Sequence, residues 1–182
     1  MKIGLVRHYP VKKGMPEKKL VTPEELAAWF ADYDQSDVEV GEPELGGIAW
    51  TRCFTSDMPR AVKTAEVFYR GEIIPMKELR EIPYPDFAAI TTRKLPFLLW
   101  AMVVRLAWHV NHKAYAENKA AARRRIGAAL DRILSRLGED ENVLLVTHAA
   151  LMMEMRRELL RRGFTGPSFG TPQNGKLYVF ER

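Results

Sequence analysis

The sequence predicts an α/β fold, a three-layer αβα sandwich with a mostly parallel central sheet and a helical cap insert. Three observations carry that expectation. Short apolar runs at 2–7, 51–55, 72–76, 142–147 and 176–181 have the length and composition of buried strands. Helix-period segments lie between most of them, the alternation that covers a parallel sheet on both faces. A proline-punctuated and then strongly apolar stretch, residues 83–118, breaks the alternation and reads as an insert between core elements. With 182 residues, 47% hydrophobic and 28% charged, the chain is sized for one folded domain over 1–182.

The elements follow in order. "KIGLVR" at 2–7 is a short buried strand. Thr22-Pro23-Glu24-Glu25 is a capping box with proline at the first helical position, opening a helix that sets Leu26, Trp29, Phe30 and Tyr33 on one face. "TRCFT" at 51–55 is a second strand. Ser56 or Asp57 is expected to cap a helix from about Pro59, with Ala61, Ala65, Phe68 and Tyr69 inward and Gly71 as its stop. "EIIPM" at 72–76 is a third strand, its proline marking a strand end. Residues 119–137 place Ala122, Ile126, Ala129, Leu130, Ile133 and Leu137 on one helical stripe. "NVLLVTH" supplies the fourth strand at 142–147. A helix with Leu151, Met152, Met155 and Leu159 facing in follows it and ends at Gly163, and "KLYVFE" closes the chain as the last strand.

In open α/β sheets the ligand crevice lies beyond the carboxyl ends of the strands. His8 and His148 each follow a continuous apolar strand directly, so both are expected at that edge, and the Ser56–Arg60 turn joins them. The chemistry these residue types support is phosphoryl transfer, which needs charge neutralisation, in-line positioning and a proton for the leaving group. Arg7 and Arg60 carry permanently charged forks that match phosphate oxygens. Neighbouring guanidiniums lower an imidazole pKa and keep it unprotonated. Taken singly, each residue also has a bland reading: a hydrogen-bonded histidine at a strand end, or surface charge for Glu81 beside Arg80.

"LVRHYP" at 5–10, "FTSDMPRAVKTAEVF" at 54–68, "LREI" at 79–82 and "VLLVTHAALM" at 143–152 resemble, in that order, the histidine phosphatase superfamily that includes the phosphoglycerate mutases. The resemblance covers most of the chain outside 83–118. It implies that His8 is a nucleophile forming a covalent phosphohistidine. Arg7, Arg60 and His148 would bind the phosphate, and Glu81 would supply the proton donor, with Asp86 as the alternative donor. No metal or other cofactor is implied. The substrate would be a phosphorylated metabolite or phosphoprotein, and the reaction hydrolysis of a phosphomonoester. A mutase-type transfer and a non-catalytic phosphate-binding or scaffolding module are the alternatives.

The sequence departs from the family pattern at Tyr9-Pro10, where glycine commonly follows the Arg-His pair, and at Ala149-Ala150. Tyr9 is therefore expected to bring bulk and a hydroxyl to the pocket mouth and to contact substrate. The insert, with Phe97, Trp100 and Trp108, reads as a lid over a large or hydrophobic leaving group.

Other chemistries find less support. A cysteine-dependent phosphatase needs Cys-x5-Arg, but six residues separate Cys53 from Arg60, none of them glycine. His109 and His112 lack the pattern of a metal site and read as exposed residues of the insert. The overall charge of +5 is uneven: residues 93–125 hold eight basic residues and one acid, leaving the rest of the chain at −2. Arg123-Arg124-Arg125 lacks interleaved aromatics, so no specific nucleic-acid partner is expected. Residues 95–110 are too short to span a bilayer and contain Arg105. They are expected to form a buried or cap helix, with interfacial membrane contact as the alternative. Lys2 is not followed by the apolar region of a secretory signal, and a lone cysteine suits a reducing compartment, so a cytoplasmic location is expected.

Overall fold

Five strands form one sheet in the computed structural model, which describes residues 1–138 and 141–182. In chain order the strands are β1 (Lys2–Arg7), β2 (Arg52–Ser56), β3 (Ile73–Met76), β4 (Val143–Thr147) and β5 (Leu177–Glu181). Their spatial order is β3-β2-β4-β1-β5. The pairs β3·β2, β2·β4 and β4·β1 are parallel, whereas β5 runs antiparallel to β1. The sheet is thus mostly parallel, as expected. Pro75, which has no amide hydrogen to give a ladder, lies in the edge strand β3.

The helices are α1 (Pro23–Gln35), α2 (Pro59–Phe68), α3 (Phe87–Ile90), α4 (Phe97–His109), α5 (Lys119–Leu134) and α6 (Ala149–Arg161). Alternate strand residues point to opposite faces, and two cores result. On one face Ile3, Leu5, Phe54, Val143 and Leu145 pack against Ile126, Leu130 and Ile133 of α5 and Leu151, Met155 and Leu159 of α6. On the other, Val6, Cys53, Leu144 and Val146 pack against Ala61, Ala65 and Phe68 of α2. A third, smaller cluster joins Leu26 of α1, Phe87 of α3 and Trp100 of α4 to Val21. Val21 and Leu95 exchange backbone hydrogen bonds of 2.9 and 3.1 Å, and the Trp100 indole donates to the Val21 carbonyl at 2.9 Å. Residues 83–118 are held in this way against α1.

Several boundaries follow from local chemistry. The Thr22/Glu25 capping box forms in both directions. The end of α6 is a Schellman motif: Gly163 (φ +85°) donates to Leu160 and Phe164 to Leu159. The start of α2 differs from expectation. Its N-cap is Met58, with no side-chain cap, because the Ser56 hydroxyl contacts His148 and Asp57 is held by Arg80 through bonds of 2.6 and 2.7 Å. Gly71 does not stop this helix either. α2 ends at Phe68, and Tyr69 turns out to give its hydroxyl to the Thr51 carbonyl. Likewise α5 ends at Leu134 rather than 137.

Candidate active site

Because β1, β2 and β4 are mutually parallel, Arg7, Ser56 and Thr147 end them at the same edge of the sheet. His8 continues the β1–β4 ladder by one residue, donating its amide to Thr147 at 2.9 Å. The rings of His8 and His148 stand 5.2 Å apart, centroid to centroid, and both are buried. His8 Nδ1 lies 2.7 Å from the Tyr9 carbonyl. A carbonyl only accepts, so Nδ1 carries the proton and Nε2 keeps its lone pair. Burial, helped by the charges of Arg60 and Arg7, lowers the His8 pKa to about 3 against the opposing Tyr9 hydrogen bond. The direction is the one expected from the sequence, but desolvation rather than the guanidiniums is its main cause.

The backbone beneath the pair is fixed from the C-terminal side. Asn174 Nδ2 donates to the His8 carbonyl at 2.7 Å and the Gly175 amide to the Arg7 carbonyl at 2.9 Å. Gly175 has φ +66°, and a Cβ there would come within 2.7 Å of the Tyr9 ring, so only glycine suits both demands.

Arg7 anchors one guanidinium nitrogen on the Pro172 carbonyl at 2.9 Å. Arg60, second residue of α2, is buried. A cation at a helix N-terminus is unfavourable in itself. Asp34 of α1 offsets it, accepting from Arg60 Nη1 at 2.8 Å, and the guanidinium lies 5.3 Å over the Tyr33 ring. Nε of Arg7, Nε of Arg60 and Nδ1 of His148 are buried and have no hydrogen-bond partner in the protein among the described residues. Unpaired buried polar atoms are uncommon, and these three belong to one cluster.

His148 Nε2 lies 2.8 Å from Ser56 Oγ, which also accepts from the Met58 amide at 3.3 Å. In the tautomer with the ring proton on Nδ1, Nε2 accepts from the Ser56 hydroxyl. Burial is the main cause holding His148 well below the usual histidine pKa, followed by Arg60 and His8.

Glu81 reaches the same edge from the segment after β3. Its carboxylate accepts from the amides of Ala150 (Oε2, 3.1 Å), Leu151 (Oε1, 2.9 Å) and Ile82 (Oε1, 3.1 Å), covering the first turn of α6, which has no side-chain cap of its own. Thr147 Oγ1 donates to the Leu79 carbonyl at 2.7 Å, and Arg125 Nη1 donates to the carbonyls of Glu78 and Arg80 at 2.7 and 2.9 Å. The segment leading to Glu81 is therefore tied to both β4 and α5. Burial raises the Glu81 pKa, although its three amide bonds and Arg60 pull the other way.

The structure thus brings Arg7, His8, Arg60, Glu81 and His148 to one edge. It does not bring Tyr9 to the mouth of the crevice. Tyr9 is 3% exposed, packs in the second core beside Phe68 and gives its hydroxyl to the Gly41 carbonyl at 2.8 Å. With Pro10 following it and β1 pairing behind it, the ring turns inward rather than toward substrate. Asp86 is exposed and caps α3, accepting from Ala88 and Ala89. Cys53 is fully buried and its thiol is pushed up to about 12, a packing residue rather than a nucleophile. His109 is exposed, while His112 Nδ1 accepts from the Ala114 amide.

Four residues that sequence reasoning did not assign to the site now join it. Ser56 sits within the recognised "FTSDMPR" stretch but reads there as a helix cap. Asp34, Asn174 and Arg125 act across 26, 166 and at least 45 residues of chain, with no local pattern to mark them. Between α1 and α3 lies a cavity of about 420 Å³, lined by Asp34, Phe30, Tyr84 and Asp86 among others. None of the five clustered residues lines it; it adjoins them through Asp34, the partner of Arg60.

Comparison with solved structures gives the same fold. The chain is similar to YhfR of Bacillus stearothermophilus (20% identity, TM-score 0.64, covering 99% of this chain and 90% of that one). It is also similar to a mycobacterial glucosyl-3-phosphoglycerate phosphatase in complex with inorganic phosphate (16%, 0.63, 98% and 88%). A phosphoglycerate mutase from Bacillus anthracis is a further relative in fold (18%, 0.58, 98% and 86%). A search of curated proteins by sequence finds no match. The sequence profile of the histidine phosphatase superfamily (branch 1) matches residues 23–182. The β1 strand and its Arg7-His8 end lie ahead of that span, and the structure joins them to its other motifs. On this match the chain belongs to the histidine phosphatase superfamily.

Proposed function

We propose that the chain is a phosphomonoesterase that works through a covalent phosphohistidine on His8, without a metal ion. One observation carries the reading: a neutral His8 with its Nε2 lone pair available, set beside three buried atoms, Arg7 Nε, Arg60 Nε and His148 Nδ1, that have no hydrogen-bond partner in the protein among the described residues. In the first step Nε2 attacks phosphorus and the bond to the ester oxygen breaks. Arg7 and Arg60 neutralise the phosphoryl oxygens, and His148 Nδ1–H donates to one of them. Glu81 gives its proton to the departing alkoxide from Oε2, the oxygen with a single amide partner. In the second step the Glu81 carboxylate takes a proton from water, the water oxygen attacks phosphorus, and the N–P bond breaks to release phosphate.

The leaving group is assigned to the cavity beside Asp34, whose aromatic and acidic lining suits a metabolite or peptide moiety. Among the structural relatives, the glucosyl-3-phosphoglycerate phosphatase and an α-ribazole phosphatase from Shigella flexneri favour hydrolysis over isomerisation. The test is to quench the protein during turnover of a radiolabelled aryl phosphate in the presence of chelator. An acid-labile phosphoramidate on His8 is expected, absent from His8→Ala, whose kcat should fall by about 10⁴-fold or more. Label on another residue, or no turnover by folded protein, would overturn the reading.

A further inference from the structure

The outward face of α4 is left unused by the catalytic reading. Trp100 and Val104 pack against α1 and α3, and Ala107 is buried. Leu98 (71% exposed), Met102 (68%) and Leu106 (63%) form an i, i+4, i+8 stripe on the opposite side, continued by Val110 (62%). Because this stripe faces away from α1 and α3, it is no lid over a leaving group held between them. Arg105 is exposed within the stripe, and exposed Arg93, Lys94 and Lys113 flank it.

From Phe87 to Ala116 the chain contains no acidic residue. The acids that border this span are engaged elsewhere, Asp86 as the α3 cap and Glu117 with Arg125. Leu20, half-exposed beside exposed Lys19, immediately precedes the Val21–Leu95 pair and adds to the same apolar and basic character.

We propose that this face docks on a bilayer surface bearing anionic headgroups, with α4 lying in the plane of the interface. Charge decides the occupant. A second copy packed helix to helix would oppose Arg105, Arg93 and Lys113 with like charges, while Lys94 neighbours Glu25 of α1, a carboxylate already engaged by Lys18 and the Thr22 amide. An anionic surface pairs all of them while Leu98, Met102 and Leu106 enter the acyl boundary. The geometry agrees: α4 has 13 residues, about 20 Å of helix, and no helix among the described residues is long and apolar enough to cross a membrane. The proposal does not depend on the catalytic reading, since its readout is vesicle binding.

The experiment is co-sedimentation of the full chain with phosphatidylcholine vesicles, with and without phosphatidylglycerol. Binding is expected only with phosphatidylglycerol and should weaken as salt rises. The triple variant Leu98→Gln, Met102→Gln, Leu106→Gln should lower partitioning by about tenfold or more. Arg105→Glu, which leaves the apolar stripe intact, should do so as well. Both should keep wild-type aryl phosphate hydrolysis, and if the triple variant fails to fold Arg105→Glu decides alone. Four outcomes would overturn the proposal: no binding to phosphatidylglycerol vesicles at low salt, equal binding to phosphatidylcholine alone, undiminished binding by the variants, or a dimer in solution that the triple variant dissolves.

Discussion

Glu81 is where opposing forces meet most plainly. Three amides favour its charged form, and burial favours its neutral form and prevails. A proton donor must begin each cycle protonated, so the rate should fall as pH rises through this raised pKa. Protonation of His8 limits the rate only near pH 3, so activity should persist on the acid side. Glu81→Gln is expected to lose about 10²- to 10³-fold in kcat/KM on an alkyl phosphate, much less on nitrophenyl phosphate, whose leaving group departs without a proton. The alkaline limb of the profile should vanish with it. Equal losses in kcat/KM on both substrates, with phosphohistidine hydrolysis unchanged, would show that Glu81 supports structure rather than proton transfer. Its position was legible from the "LREI" motif. Its environment was not, because the amides that hold it lie 69 and 70 residues further along the chain.

At the scale of elements, legibility follows the range of the interaction that ends each one. The Thr22/Glu25 box and the Gly163 Schellman turn are local, and both boundaries read directly from sequence. The start of α2 does not, since His148 and Arg80 claim the residues that would have capped it. The same logic separates the three consecutive arginines near the start of α5. Arg123 pairs with Glu154, Arg124 is exposed, and Arg125 is a brace. Arg125 grips Glu117 through two bonds of 2.8 and 2.7 Å and holds the carbonyls just before Glu81. Arg125→Met should destabilise the fold by about 2 kcal/mol, because it leaves Glu117 and two carbonyls without their donor. It should also lower kcat while leaving the KM for a small aryl phosphate nearly unchanged, as expected for a positioning residue. Unchanged kcat with normal folding would show that the Glu81 segment holds its place without this brace.

Across the whole molecule, the alternation of buried strands and amphipathic helices was enough to place His8, Ser56 and His148 together, because parallel strands must end at a common edge. The antiparallel β5 could not be told from the others, as its apolar pattern is the same in either direction. Two histidines buried at that edge tie stability to pH. In the unfolded chain each titrates near 6.5, whereas in the fold both pKa values are lowered, His8 to about 3. The unfolded state therefore binds more protons through this window, and stability present above pH 6.5 is lost as pH falls toward 3. Glu81 works in the opposite sense. Its raised pKa contributes stability below 4.5 that is lost as pH rises, but it is one group against two. Glu158, lowered to about 2 mainly by Arg161, loses its contribution only below 4.5. Between about pH 7 and 5 the histidines therefore dominate: His8 contributes about 2 kcal/mol of lost stability at the lower pH, and His148 adds to it in the same direction. The urea midpoint should fall over that range in the wild type, and by less in His8→Asn, whose smaller amide side chain does not titrate. A flat wild-type profile, or an equal fall in the variant, would mean that the histidine pair carries no such linkage.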